Sequence, residues 1–376
     1  MTFNDLDIIV PILQALNGKG YKTPTAIQQQ AIPEILLRKD VLGIAQTGTG
    51  KTAAFAVPIL QLLGGSQKVD NKIRSLILTP TRELAVQIAE NFKSYGEKLR
   101  LRHTTVFGGV PQARQVAALK AGVDILIATP GRLADLMQQG YIDLSRIEIF
   151  VLDEADRMLD MGFVQEVKKI VSVLPVQRQT LFFSATMPAN IAALAKTILK
   201  RPVTIQTAPV SSTAERVSQS VYHVNKNSKV NLLLHLLKGA GTERSLIFTR
   251  TKHGADKLVK QLAGTGVHAA AIHGNKSQNA RQKALNDFRQ ERVKVLIATD
   301  IAARGIDIDH LPRVVNYDLP EAAETYVHRI GRTGRGAEAT GKAISFCDHE
   351  EAGYLKSIQK LIGFLVPVLK VPAHLQ

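Results

Sequence analysis

Val41-Leu42-Gly43-Ile44-Ala45-Gln46-Thr47-Gly48-Thr49-Gly50-Lys51-Thr52 constrains the fold of this chain more than any other stretch. Its short apolar run predicts a buried strand. The Gly/Thr segment that follows predicts a tight loop, and Ala53-Ala54-Phe55-Ala56-Val57 predicts the start of a helix. Strand, glycine loop and helix N-terminus together make a phosphate cradle. Backbone N–H groups of Gln46, Thr47, Gly48, Thr49 and Gly50 turn inward, and the helix dipole favours the anion. Lys51 is then placed to reach the terminal phosphates, and the Thr52 hydroxyl to ligate Mg²⁺. Ala45 stands where the strict pattern has glycine. The stretch implies nucleotide binding.

The rest of the chain has to supply domains around that loop. At 376 residues and 45% hydrophobic, it is long enough for two or three domains. The net charge is +16, and the excess is spread: residues 1–207 carry 24 Lys+Arg against 17 Asp+Glu, and residues 208–376 carry 24 against 15. A basic surface on both halves suggests a polyanion lying across them. Cys347 is the only cysteine, which excludes an intramolecular disulfide and a Cys-based zinc site and fits a reducing, cytoplasmic setting. Residues 1–17 have no basic segment ahead of their apolar residues, so no signal peptide is expected. No apolar run approaches the roughly 18 residues of a membrane span, so no membrane partner is expected. Residues 361–371 are apolar but broken by Pro367, and are expected to pack on the second core.

Short β-type runs alternate with helical patterns throughout, which predicts an α/β fold of parallel sheets with helices on both faces. Expected strands in the first half are 41–45, 75–79, 104–107, 124–128, 147–152 and 180–183. In the second half they are 245–249, 269–272, 294–298, 313–317 and 342–346. The polar, proline-marked stretch at 208–213 predicts a linker between lobes at 1–207 and 214–376. Ser75-Leu76-Ile77-Leu78-Thr79 recurs 170 residues on as Ser245-Leu246-Ile247-Phe248-Thr249, and Leu126-Ile127-Ala128-Thr129 recurs at the same offset as Leu296-Ile297-Ala298-Thr299. Two related lobes in tandem explain the shared offset. At that offset the phosphate loop falls on 215–222, which holds no Gly or Lys. One lobe is therefore expected to hold the nucleotide and the other to lack a cradle, which suggests a shared site.

A second chemical signal follows Ile149-Phe150-Val151-Leu152: the acids Asp153 and Glu154, then Ala155 and Asp156. An apolar strand that ends in acids places carboxylates at the edge of the sheet where the phosphate loop lies. Asp153 is placed to hold Mg²⁺ directly or through water, and Glu154 to orient and deprotonate the attacking water. Asp-Glu-Ala-Asp together with Ala45–Thr52 resembles the DEAD-box family of ATP-dependent RNA helicases, in which alanine is the usual residue at position 45. Other signatures follow in that family's order. Gly20-Tyr21-Lys22-Thr23-Pro24-Thr25-Ala26-Ile27-Gln28, with Phe3 ahead of it, resembles the Q motif. Pro80-Thr81-Arg82-Glu83-Leu84-Ala85, Gly108-Gly109, Thr129-Pro130-Gly131-Arg132 and Ser184-Ala185-Thr186 complete the first half. The second half has Leu246 to Thr251, Gln278 with Arg281, Ala298 to Asp307 and His328 to Arg335. The longer form Asp153–Phe163 resembles the bacterial RhlE-like branch.

The resemblance implies two RecA-like lobes, ATP and Mg²⁺ as nucleotide and metal, and RNA as partner. Gln28 is then the reader of adenine, a role its donor-and-acceptor amide suits, with Phe3 or Tyr21 stacking on the ring. Arg332 and Arg335 are implied to be arginine fingers, since guanidinium groups spread phosphoryl charge well. Asp307 is implied to contact the ribose, and Asp156, Ser184, Thr186 and His328 to couple hydrolysis to movement. Arg82, Gly109, Thr129, Arg132, Arg250, Gly274, Arg281 and Thr299 lie at positions the family uses on the sugar–phosphate backbone. With no Trp and 5% aromatic residues, base-stacking platforms are not expected, so binding should be blind to sequence. RNA is expected to be preferred through its 2′-OH. Two rivals are an ATP-gated clamp on RNA in a larger assembly and a DNA-translocating motor. An intact Glu154 and both arginines disfavour the first, and the Q motif and Asp-Glu-Ala-Asp disfavour the second.

Overall fold

The computed structural model describes residues 1–46, 48–65, 72–207, 217–239, 243–303, 311–333 and 341–375. The expected linker at 208–213, together with Thr47, Asp307 and Arg335, lies outside the described residues. The chain divides into two units, Met1–Ala208 and Pro209–Gln376. Strands of the first are β1 Val41–Ile44, β2 Ser75–Leu78, β3 His103–Val106, β4 Ile125–Ala128, β5 Ile149–Leu152, β6 Gln179–Ser184 and β7 Val203–Gln206. They pair in the order β3-β4-β2-β5-β6-β1-β7, every pair parallel.

Parallel pairing brings all the loops that follow the strands to one edge of the sheet. Both faces are buried, so the central strands are apolar without a break. On β5, Ile149 and Val151 join one core while Phe150 and Leu152 join the other. On β2, Ile77 faces the first core and Leu76 and Leu78 the second. Gly43 sits opposite Phe183 in the β1–β6 register, and a Cβ there would press on the Phe183 ring.

The second unit repeats this arrangement. Its strands are β8 Val217–His223, β9 Ser245–Phe248, β10 Ala269–Ile272, β11 Val295–Ala298, β12 Arg313–Asn316, β13 Gly341–Cys347 and β14 Val368–Leu369. They run β10-β11-β9-β12-β13-β8-β14, again all parallel, so β8 occupies the place of β1. The likeness extends to the caps. Thr81 and Thr251, 170 residues apart, each accept a bond from the N–H three residues on, at 3.3 Å from Leu84 and 2.9 Å from Gly254. An Ala at either cap should lower stability by about 1 kcal/mol. Thermal melting checks this.

The fold differs from the sequence expectation at three places. Residues 217–222, assigned to the phosphate-loop counterpart by the constant offset, are strand β8; the counterpart is 224–228, ahead of the helix Lys229–Gly239. That segment has no glycine but is followed by a lysine. The offset drifts because the insertions between strands differ in length. Second, β7, β8 and β14 were not foreseen. β14 is two exposed residues, β7 is a half-exposed edge, and β8 carries polar Ser218, Gln219 and Ser220. Gln219 is buried because the Tyr326 hydroxyl donates to it at 2.7 Å. Third, the apolar stretch at 361–371 packs on the second unit's cores only in part: Ile362 and Val366 are buried and Phe364 and Val371 pack against these cores, while Leu361, Leu365, Val368 and Leu369 are exposed.

Candidate functional site

The loop after β1 is shaped by two glycines in the left-handed region, Gly48 at φ 80° and Gly50 at φ 91°. Gly50 is the N-cap of the helix Lys51–Gly64, whose first-turn N–H groups have no intrahelical partner. Lys51 is buried, and its ammonium donates to the Ala45 carbonyl at 2.8 Å. Thr52 follows in the first turn, half-buried. A helix N-terminus and a buried cation favour a polyphosphate.

Gln28 is buried against this loop. Its amide donates to the Gly50 carbonyl at 3.1 Å, and its Oε1 accepts the Thr25 N–H at 2.9 Å, closing a capping box on the helix Ala26–Leu36. A Cβ on Gly50 would overlap the Gln28 amide. Phe3 is buried in the first unit's core, edge-on to Tyr21 at 6.1 Å, and the Tyr21 hydroxyl meets that of Tyr95 at 2.9 Å.

Asp153 and Glu154 leave the end of β5. The Asp153 N–H bonds to the Leu78 carbonyl at 2.9 Å and continues the sheet ladder by one residue. Burial pushes the Asp153 carboxyl well above the usual carboxylate range; the Lys51 ammonium opposes this and the Glu154 charge adds to it. Its Oδ1 is buried with no hydrogen-bond partner. A divalent cation that prefers oxygen would supply the missing partner, so Asp153 fits Mg²⁺. Glu154 is in the left-handed region at φ 54°, ψ 51°, which costs a non-glycine residue about 1–2 kcal/mol. Its carboxylate is paired with the guanidinium of Arg157, both side chains being buried.

Asp156 ties this strand to the next. Its Oδ2 accepts from the Ala185 N–H at 3.2 Å, the Thr186 N–H at 2.8 Å and the Thr186 hydroxyl at 2.9 Å. The Ser184 hydroxyl accepts the Asp156 N–H at 3.3 Å and donates to the Thr186 carbonyl at 2.7 Å. These bonds join Asp156 directly to Ser184 and Thr186.

The same sheet edge carries basic and small residues after β2, β3 and β4. Arg82 begins the helix Arg82–Tyr95, and its guanidinium lies against Gly108 and Gly109. Thr129 caps the helix Pro130–Gln138, and Arg132 in its first turn donates to the Val110 carbonyl at 3.4 Å. Gly109 has φ 80°, and a Cβ there would overlap the Arg82 guanidinium. Gly109→Ala should therefore displace Arg82, at a cost of about 1 kcal/mol in stability. Thermal melting checks this.

In the second unit the corresponding loops carry Arg250 after β9, Gly274 after β10 and Thr299 after β11. Gly274 faces open space, Thr299 is buried, and Arg281 is half-buried on the helix Gln278–Arg289. His328 is in the last turn of the helix Ala323–Ile330, and Arg332 lies just past it, buried.

The family model "DEAD/DEAH box helicase" matches residues 25–194, and "Helicase conserved C-terminal domain" matches 228–337. The chain is 40% identical over 372 residues to the ATP-dependent RNA helicase DbpA of Bacillus subtilis, covering 99% of this chain and 77% of that one. It belongs to the DEAD-box helicase family. It is also 42% identical to the ATP-dependent RNA helicase DeaD of Mycobacterium tuberculosis, over 96% of this chain but 63% of the relative's length. The structure of S. cerevisiae Dbp5 bound to RNA and ADP BeF3 superposes with a TM-score of 0.86 at 32% identity, over 99% of this chain and 95% of that one. Such relatives and folds share the two RecA-like units described above.

Two buried arginines at this DEAD-box helicase's sites escaped the sequence reading. Arg157 pairs with Glu154. Arg329 holds Asp300 through both oxygens, at 2.6 and 2.8 Å, and lies 4.9 Å over the Phe248 ring. Arg329 stands inside the motif His328–Arg335, but nothing in sequence marks a guanidinium as buried.

Proposed function

We propose that this chain is an ATP-dependent RNA helicase that hydrolyses ATP to separate short RNA duplexes, holding RNA by its backbone irrespective of sequence. One observation carries the reading: a single sheet edge of the first unit presents both the phosphate loop with its buried acids and the row Arg82, Gly109, Thr129 and Arg132. Lys51 and the loop N–H groups hold the phosphates. Asp153 and Thr52 would hold Mg²⁺, which supplies charge neutralisation at the phosphate oxygens when bound. Glu154 takes the proton of the attacking water, and Asp156 conveys the change to Ser184 and Thr186. Arg332 and Arg335 supply guanidinium charge to the transferring phosphoryl group, Asp307 contacts the ribose, and His328 takes part in the coupling. Arg250, Gly274, Arg281 and Thr299 extend the backbone contacts into the second unit. Asp153–Phe163 supports a place in the RhlE-like branch, and the single buried Cys347 supports a cytoplasmic setting. Among the described residues no helix is long and apolar enough to cross a membrane.

The test compares ATP turnover stimulated by RNA and by DNA of equal length, together with separation of a short RNA duplex. Stronger stimulation by RNA and ATP-dependent separation are expected. Equal stimulation by DNA, or turnover with no separation, would overturn the reading.

Gln28 separates two sub-roles in this scheme. As a reader of adenine it should favour ATP over GTP by about 10-fold, and Gln28→Ala should abolish the preference. If it serves only to hold Gly50, both nucleotides should weaken equally. Competition binding of ATP and GTP distinguishes the two.

A further inference from the structure

In the second unit, the strand that occupies the place of β1 is followed by a helix whose first residue is Lys229, just as Lys51 is the first residue of the helix after the phosphate loop. The two lysines have different partners. The Lys229 ammonium is buried among three carboxylates: Glu351 Oε2 at 2.7 Å, Asp348 Oδ2 at 3.0 Å and Asp318 Oδ1 at 3.6 Å. It also lies 5.8 Å over the Tyr317 ring. Carboxylates of this same chain thus neutralise a cation that in the first unit faces the phosphate loop.

Two of those acids turn their other oxygen to Arg250. Glu351 Oε1 accepts from the Arg250 guanidinium at 2.6 Å and from the Leu319 N–H at 3.0 Å. Asp318 Oδ2 accepts the Arg250 backbone N–H at 2.8 Å. The Leu319 carbonyl and the Tyr354 ring, 5.4 Å from the guanidinium carbon, complete the seat. Lys229 and Glu351 side chains are each 2% exposed, whereas Arg250 is 36% exposed. A rigid, buried base therefore holds one side of a guanidinium that still meets solvent. Free arginines lose several rotamers on binding a phosphate, and one already held loses fewer. Without Lys229, the buried carboxylates of Asp348 and Glu351 and the partly exposed one of Asp318 would repel one another, and Glu351 would no longer be a fixed acceptor.

We propose that Lys229, acting through Glu351 and Asp318, is a positioning residue for RNA: it sets the Arg250 guanidinium where the sugar–phosphate backbone meets it. This rests on the reading of Arg250 as a backbone contact. The test is binding of a fluorescent single-stranded RNA decamer to the full chain with a non-hydrolysable ATP analogue, across a salt series. Lys229→Met and Glu351→Gln should each weaken RNA binding about 10-fold. Each should also flatten the slope of log K against log salt by about 0.7, the share of one phosphate contact. Lys229→Arg should restore both, and nucleotide affinity should be unchanged in Glu351→Gln.

In an Arg250→Ala background, Glu351→Gln should cost nothing further. A full additional loss there, or a wild-type slope in Glu351→Gln beside a flattened one in Arg250→Ala, overturns the positioning role alone. A wild-type affinity and slope in Arg250→Ala overturns the RNA reading of Arg250 and this proposal with it. Should Lys229→Met fail to fold, Glu351→Gln decides, because its amide keeps an acceptor for the Leu319 N–H.

Discussion

Glu154→Gln should leave ATP binding intact and reduce single-turnover hydrolysis on the order of 10³-fold, with RNA present or absent. The amide matches the carboxylate in shape but cannot take a proton from water. Backbone placement makes the effect specific. Glu154 is held in the left-handed region at the end of β5, and such strain persists at a site only when its surroundings over-determine it. Arg157 supplies part of that constraint through its buried pair with Glu154. Removing one member of a buried ion pair costs about 3–5 kcal/mol when the other is left uncompensated. Glutamine keeps an acceptor for Arg157, so the loss of stability should be well below that figure. Arg157→Ala, by contrast, should cost the larger amount. Rapid-quench hydrolysis with saturating nucleotide, set beside thermal melting, separates chemistry from folding. A rate within tenfold of the native protein in Glu154→Gln would remove Glu154 from the base role.

Lys51→Ala should abolish nucleotide binding at ordinary concentrations, with affinity falling about 10²-fold or more. Charge-assisted bonds to phosphate contribute about 1.5–3 kcal/mol each, and the ammonium can make more than one. Lys51 is also the charge that opposes the upward shift of the buried Asp153 carboxyl. With alanine at position 51 that carboxyl should take up a proton at still higher pH, so Mg²⁺ affinity at neutral pH should fall as well. The helix itself should survive, because alanine is a better helix former than lysine. Equilibrium dialysis of ATP with and without Mg²⁺ checks both effects. Retained affinity would mean that the loop N–H groups and helix end suffice without the cation.

The phosphate loop was legible in sequence because its chemistry is local. Gly48 and Gly50 are required by their own φ values, and Lys51 and Thr52 by their places in the first turn of one helix. The acids after β5 were legible for a similar reason: an apolar strand buried on both faces must end where its carboxylates meet solvent or ligand. The parallel α/β architecture followed from the apolar runs, since each central strand serves two cores at once.

What the tertiary structure alone decided are pairings between distant residues. Gln28 looks in sequence like a free amide, yet folding brings it within 3.1 Å of the Gly50 carbonyl, 22 positions on. Glu351 reaches Arg250 across 101 positions and Lys229 across 122. In sequence these are three ordinary charged residues, and only burial makes their mutual neutralisation obligatory. The second unit's phosphate-loop counterpart was misplaced for a related reason. A constant offset assumes equal insertions between strands, whereas strand order in the sheet, which no local pattern encodes, sets β8 in the place of β1 and Lys229 in the place of Lys51.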